Sequence, residues 1–193
     1  MPTIVLASTS PYRRELLARL RLPFAVEAPQ VDETVLPGEA PRAVAMRLAR
    51  AKALAVAARQ PQAVVIGADQ VVDLNRAALS KPGTHDAALA QLEAMQGRTV
   101  VFHTALAVVG PAGIAADCID TTVTFRRLPR ARLDAYLRAE QPYDCAGAAK
   151  IESLGIALVE SVQSPDPTAL IGLPLIRLVA LLEAQGLAVP ASA

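Results

Sequence analysis

The amino-acid sequence predicts an α/β fold with a mixed sheet. Two apolar runs, residues 3–7 and 63–72, have the composition of buried strands and alternate with helical segments, which is typical of parallel strand order. Residues 99–109 and 114–127 flank the turn sequence GPAG and indicate an antiparallel hairpin. Both kinds of connection occur in one chain, so the sheet should contain parallel and antiparallel neighbours.

The other elements follow from caps, breakers and periodicity. Ser10 is the expected N-cap and Pro11 the first residue of a helix that should continue to about residue 22, before Pro23. Further predicted elements are a strand at 24–28, an alanine-rich helix over about 41–59, a helix over about 84–97, a helix at 133–139, a strand at 156–162 and a last helix over about 174–185. Residues 29–41, 74–84 and 143–155 are predicted to be irregular. We expect the last helix to bury its leucines in the core of its own chain.

Length and composition limit the classes of function. The 193 residues, 53% of them hydrophobic, suffice for a single domain over residues 1–193. A net charge of +1 argues against a general nucleic-acid-binding surface, and the N-terminal apolar run is too short for a signal peptide or a membrane span. We therefore expect a cytoplasmic protein that binds neither nucleic acid nor membrane. Cys118 and Cys145 are isolated, which predicts reduced thiols and disfavours a zinc site.

Two arginines occupy the first turn of the first predicted helix, where the helix dipole disfavours cations. An anion bound at this helix start would remove the conflict, because Ser8 and Ser10 can donate hydroxyls and Arg13 offers a planar fork that suits phosphate. The alternative is a surface helix whose Arg13 and Arg14 point to water or pair with Glu15. The residues alone leave these two interpretations about equal.

Four more charged residues are candidates for the same site. Lys52 stands beside the apolar stripe of the alanine-rich helix and either extends to solvent or reaches an internal anion. Asp69 interrupts an apolar strand, where it is either a strand-end cap or a carboxylate at a ligand site. Glu33 and Lys81 lie in loops and are, taken singly, ordinary solvated charges. Together with Arg13, however, the basic residues suit several phosphates, and the two acids suit a hard divalent cation.

The order of the short motifs carries a family resemblance. The segments LASTSPYRRELL, VDE, AKA around Lys52, GADQVV, SKPG, GRTVVFHT, TTVTFRRL, DCAGAAKIESLGI and ALIGLPL occur in the order seen in the Maf family. The resemblance extends from Ile4 to about Leu178, whereas the Walker and GxGxxG phosphate loops are absent. That family comprises nucleoside triphosphate pyrophosphatases that resemble the inosine triphosphate pyrophosphatases in fold. The resemblance implies an elongated α/β fold with two lobes around a central cleft, and a homodimer.

The resemblance also assigns roles to matching positions. It implies that Asp69 accepts the proton of the attacking water and that Glu33 and Asp69 hold a divalent metal cation, Mg²⁺ or Mn²⁺. The polar cleft residues that would hold the triphosphate are Ser8, Ser10, Arg13, Lys52 and Lys81. The implied reaction releases pyrophosphate and a nucleoside monophosphate from a small-molecule nucleotide.

Within the family, three positions resemble the group that acts on 7-methyl-GTP: Tyr12, Gln70 and Glu152. N7 methylation makes guanine cationic, so an aromatic ring at Tyr12 gains about 0.5–2 kcal/mol of cation–π attraction, and Glu152 accepts the N1–H and 2-amino donors. The chain departs from that group at Tyr12, where Trp is more usual, at Ser153, where Gly is more usual, and at AAK, where Ser-Phe-Lys is more usual. The alternatives are a UTP/dTTP pyrophosphatase and a nucleotide-binding regulator of septum formation.

Overall fold

The computed structural model describes residues 3–190 and confirms the α/β class with a mixed sheet. The strands are β1 (Ile4–Ala7), β2 (Phe24–Glu27), β3 (Val64–Leu74), β4 (Ala77–Leu79), β5 (Thr99–Gly110), β6 (Gly113–Phe125) and β7 (Val159–Gln163). The α-helices are α1 (Pro11–Ala18), α2 (Pro41–Ala57), α3 (His85–Met95), α4 (Arg130–Glu140) and α5 (Leu175–Ala184). Short 3₁₀ turns occupy Ala146–Ala148, Leu154–Leu158 and Ala169–Ile171. Residues 1–2 and 191–193 of the predicted domain lie outside the described residues.

The sheet is parallel at one end and antiparallel at the other. Its order is β2-β1-β3-β5-β6-β7, with β4 paired to β3. β1 is parallel to both β2 and β3, because α1 and α2 cross over between them. β5 and β6 pair along their whole length, which confirms the predicted hairpin. Among the described residues, no helix is long and apolar enough to cross a lipid bilayer.

The apolar core divides along the long strands β3 and β5. Toward one end, α2 covers one face of the sheet, and α1 and α5 cover the other. Toward the other end, α3 and α4 pack against Val72, Phe102 and Phe125. Leu178 and Leu182 of α5 are fully buried, so the last helix belongs to the core of its own chain, as expected. The helices thus form two groups along the sheet, in agreement with two lobes, while the single domain over 1–193 stays a prediction.

Three predicted boundaries are wrong for local reasons. The first helix ends at Ala18 rather than near residue 22, because the chain turns at Arg21 with a φ of 56°. The strand expected from Ile156 begins at Val159, and Ile156 itself is 59% exposed on a 3₁₀ turn. The stretch 74–84 contains the short strand β4. Apolar residues do not distinguish helix, turn and strand over a few residues.

Gly67 allows α2 to lie directly on β3. A Cβ added there would come within 3.0 Å of the backbone of Ala49 and of Ala53. Only glycine permits this close approach. The approach matters for the site because α2 carries Lys52 and β3 carries Asp69.

Candidate active site

A cleft of about 800 Å³ lies beside the open edge of β3. Its volume is within the usual range for small-molecule sites. All ten residues that the sequence predicts for the site line this one cleft: Ser8, Ser10, Tyr12, Arg13, Glu33, Lys52, Asp69, Gln70, Lys81 and Glu152. The structure therefore brings the predicted set together, whereas the role of each residue stays a prediction.

The cleft forms where β1 stops and β3 continues. The last pair between these strands joins Ala7 and Gly67, and β4 begins to pair at Val72. Among the described residues, no strand pairs with this edge of β3 between those two points. Asp69 and Gln70 occupy the gap, so Asp69 lies inside its strand rather than at the strand end that the sequence indicates. The N-terminus of α1 follows β1 directly and forms the adjoining wall of the cleft.

Lys52 links the two acids. Its Nζ lies 2.6 Å from Asp69 Oδ1 and 2.9 Å from Glu33 Oε1. Lys52 and Asp69 are only 5% and 7% exposed, so each charge needs the other as a partner. The alternative in which Lys52 extends to solvent is therefore wrong. Glu33 remains half-exposed on its loop, and its carboxylate pairs with Lys52 from the solvent side.

The two arginines of the first turn take different directions. Arg13 is half-buried in the cleft, and its Nε donates to Gly172 O at 2.9 Å. Burial lowers the pKa of Arg13, and the carboxylates of Asp69 and Glu33 oppose this change. An arginine nevertheless keeps its proton in proteins, so Arg13 supplies a fixed positive charge. Arg14 is exposed, and the expectation of a solvent-facing arginine holds for this residue alone.

The two serines of the first segment shape the start of α1. Ser10 is the N-cap, since its Oγ accepts from Arg13 N at 3.4 Å. Ser8 Oγ accepts from Ser10 N at 3.1 Å. In both cases the hydroxyl oxygen accepts a hydrogen bond from a backbone N–H, so the hydroxyl proton can still be donated to an anion.

A second group of side chains surrounds Tyr12. The Nζ of Lys150 lies 5.2 Å from the centroid of the Tyr12 ring. Burial raises the pKa of Tyr12 to about 12, and the neighbouring Cys145 adds to this effect, so the phenol stays protonated. Burial also raises the pKa of Glu152 above its usual value. Lys150 and Cys145 are not among the predicted site residues, because their contact with Tyr12 joins segments that are distant in sequence.

Gln70 holds the back wall of the cleft. Its side-chain nitrogen donates to Ala169 O at 3.1 Å, to Leu170 O at 3.0 Å and to Thr104 Oγ1 at 2.9 Å. The nitrogen is thus engaged by the protein itself. Gln70 can influence a bound base through its oxygen or through the position of this wall.

Another polar cluster lies on the α2 side of the sheet, outside the cleft. His103, Cys118 and Asp120 bring ligand-type atoms within 4.8 Å of one another, which the isolated cysteines in the sequence did not indicate. Asp120 Oδ1 already lies 2.7 Å from His103 Nδ1 and 3.5 Å from Arg42 Nε. These contacts account for the cluster without a metal ion. Cys118 and Cys145 are both free thiols, as predicted.

The sequence of this chain is similar to those of known proteins over nearly its whole length. The family model described as Maf-like protein matches residues 3–185. A 7-methyl-GTP pyrophosphatase of a Polaromonas species is 61% identical over 187 residues, covering 96% of this chain and 85% of the relative. The 7-methyl-GTP pyrophosphatase of Cupriavidus metallidurans is 59% identical over 188 residues, covering 96% and 94% of the two chains. The solved structure of the Staphylococcus aureus Ham1 protein covers 65% of this chain and 72% of its own, with 16% identity and a TM-score of 0.40. The match over nearly the whole described chain establishes that this protein belongs to the Maf family.

Proposed function

We propose that this protein hydrolyses 7-methyl-GTP to 7-methyl-GMP and pyrophosphate. The observation that carries the proposal is a single cleft with cations and a buried carboxylate in one part and an aromatic ring with a carboxylate in another. The relatives named 7-methyl-GTP pyrophosphatase, at 53–61% identity, support the same substrate. The substrate is thus a small-molecule nucleotide, and the homodimer stays a prediction.

The phosphate half of the cleft supplies positive charges and a proton acceptor. Arg13, Lys52 and Lys81 are the cations that would hold the triphosphate oxygens. Asp69 is the carboxylate that would accept the proton of the attacking water, with Lys52 Nζ at 2.6 Å fixing its orientation. Positioning and charge compensation provide most of the rate enhancement in reactions at phosphorus.

The two acids are suited to a divalent cation. Glu33 and Asp69 both contact the ammonium group of Lys52, so the fold brings the two carboxylates to the same part of the cleft. Carboxylates are the protein ligands that Mg²⁺ prefers. When bound, such an ion would offset the negative charge that develops on the phosphate oxygens.

Removing divalent metal tests this part of the proposal. We expect a chelator to abolish pyrophosphate release, and excess Mg²⁺ or Mn²⁺ to restore it. Glu33→Gln should raise the Mg²⁺ concentration needed for half-maximal rate, because one anionic ligand is lost. Full turnover in the presence of the chelator would contradict a metal at Glu33 and Asp69.

The base half of the cleft is suited to a methylated guanine. Tyr12 presents an aromatic ring, which attracts the cationic base. Glu152 lines the same cleft and, when ionised, accepts hydrogen bonds that uracil does not donate in that pattern. Phosphate binding alone would not distinguish bases, so these two residues carry the substrate choice.

The specificity constants for three nucleotides test the substrate. We expect kcat/KM for 7-methyl-GTP to exceed that for GTP about 2- to 30-fold, the span of a cation–π contribution. It should exceed that for UTP by at least about 10-fold, because UTP also lacks the charge-assisted hydrogen bonds to Glu152. Equal values would contradict recognition of the base. A higher value for UTP would favour the UTP/dTTP pyrophosphatase, and binding without hydrolysis would favour the nucleotide-binding regulator.

A variant at Glu152 tests how the base is chosen. Glu152→Gln should lower kcat/KM for 7-methyl-GTP about 10-fold and leave UTP within about 2-fold, because a charge-assisted hydrogen bond is lost only with guanine. Glu160→Gln, a change at an exposed glutamate of β7, is the matched control and should alter neither value. Equal losses for both nucleotides in Glu152→Gln would show that Glu152 does not select the base.

A further inference from the structure

Glu140, the last residue of α4, uses both carboxylate oxygens to hold one loop. Its Oε1 lies 3.1 Å from Lys150 Nζ. Its Oε2 accepts from Ser153 Oγ at 2.8 Å and from Leu154 N at 3.1 Å. The Glu140 side chain is only 10% exposed, and it does not line the cleft. Glu140 therefore binds the chain on both sides of Glu152, through an ion pair before it and hydrogen bonds after it.

The loop from Lys150 to Gly155 is also closed on itself. Lys150 O accepts from Ser153 N at 3.1 Å and from Gly155 N at 3.0 Å. The backbone N–H of Lys150 donates to Tyr136 Oη at 2.9 Å. Tyr136 precedes Glu140 by one helical turn, so the two lie on the same face of α4. One face of α4 thus determines where Glu152 stands.

Glu140 also compensates a charge beside Tyr12. The ammonium of Lys150 lies 5.2 Å from the Tyr12 ring centroid, on one face of that ring. Without a counter-ion, this positive charge would repel a cationic base at the same ring. Burial tends to raise the pKa of Glu140, but hydrogen bonds from Ser153 and Lys150 outweigh it and hold the pKa below its usual value. Glu140 therefore stays ionised and offsets the charge of Lys150.

Ser153 fits the same arrangement. By the family resemblance, Ser153 departs from a more usual glycine. Its hydroxyl supplies the 2.8 Å bond to Glu140, a contact that glycine cannot make. The departure thus adds an anchor to the loop that carries Glu152.

We propose that Glu140 is a positioning residue for base selection. It neutralises Lys150 beside Tyr12 and fixes the position of the loop that carries Glu152. Both effects favour the methylated base. This inference rests on the proposed function, because it assumes that the base binds at Tyr12 and Glu152. It assigns base selection to a residue that does not touch the base.

Glu140→Gln separates charge from shape. Glutamine keeps an oxygen that accepts from Ser153 and Leu154 but removes the carboxylate charge that pairs with Lys150 at 3.1 Å. We expect the ratio of kcat/KM for 7-methyl-GTP to that for GTP to fall about 2- to 30-fold, the span of a cation–π contribution. The kcat/KM for UTP should stay within about 2-fold. Glu93→Gln, at another ion-paired glutamate on α3, is the control and should change no ratio.

The double variant Glu140→Gln, Lys150→Met should restore the ratio to within about 2-fold of the unmodified protein, because the ammonium that lost its ion-pair partner is gone. No restoration would overturn the proposal. Lys150→Met alone should keep the ratio at or above its original value, and it serves as the test if Glu140→Gln does not fold. A fall of the ratio in a folded Lys150→Met protein would also overturn the proposal.

The nucleotide preference of the unmodified protein and the effect of Glu140→Gln test separate claims. If the unmodified protein does not prefer 7-methyl-GTP, the proposed function is wrong. If it does prefer 7-methyl-GTP and folded Glu140→Gln keeps the same ratio, only the role of Glu140 is wrong.

Discussion

Asp69→Asn is expected to lower kcat for 7-methyl-GTP by at least about 10³-fold, because asparagine cannot accept the proton of the attacking water. The fold should survive the change. Asparagine has the same shape and keeps an oxygen toward Lys52, and Lys52 retains the Glu33 carboxylate at 2.9 Å. The buried ammonium is therefore not left without an anionic partner. Pyrophosphate release at saturating substrate measures the loss, and circular dichroism checks the fold.

The matched control for this prediction is Asp73→Asn. Asp73 lies on the same strand, β3, but outside the cleft, where it contacts His103 at 3.5 Å. Its replacement should leave kcat within about 3-fold. A folded Asp69→Asn protein with undiminished kcat would show that another group accepts the proton.

Gly67→Ala is expected to destabilise the protein by at least about 3 kcal/mol, at or beyond the upper end of ordinary overpacking effects. The added Cβ would meet the backbone of α2 at Ala49 and Ala53 within 3.0 Å, and backbone cannot turn aside as a side chain can. Helix α2 would have to move away from β3. Since Lys52 and Asp69 sit on these two elements, kcat should fall as well. Urea denaturation measures the free energy of unfolding, and a pyrophosphate-release assay measures the fall in kcat.

Gly110→Ala provides the comparison. A Cβ at Gly110 meets first the side-chain oxygen of Gln185, which can move only by giving up its hydrogen bonds with Ala112 N and Gly113 O. We expect a smaller cost of about 1–2 kcal/mol, from these two exposed hydrogen bonds, and unchanged kcat. If Gly67→Ala were as stable and as active as the original protein, the close contact between α2 and β3 would not be what positions Lys52.

Much of the fold follows from local signals in the sequence. Thr84 caps α3 as predicted, with its Oγ1 accepting from Ala87 N, and GPAG marks the hairpin turn. These features depend on neighbours within a few residues. The end of α1 does not depend on near neighbours alone. Leu22 is buried although it lies beyond the helix. Its apolar character therefore led to a predicted helix that is too long.

The site was predictable where residue type conflicted with position. Lys52 beside an apolar stripe and Asp69 within an apolar strand are costly unless paired, and the structure pairs them. Glu140 and Cys145 showed no such conflict, because a glutamate at a helix end and a lone cysteine are ordinary. Their significance depends on contacts with Lys150 and Tyr12 that only the folded chain creates.

The products of 7-methyl-GTP hydrolysis show which phosphate bond the protein cleaves. ³¹P NMR of the reaction with Mg²⁺ distinguishes cleavage between the α and β phosphates from removal of the terminal phosphate. If the cations and carboxylates of the cleft act on a bound triphosphate as described, pyrophosphate and 7-methyl-GMP appear in equal amounts and orthophosphate does not. The appearance of orthophosphate with 7-methyl-GDP, or no hydrolysis by the folded protein, would contradict the account.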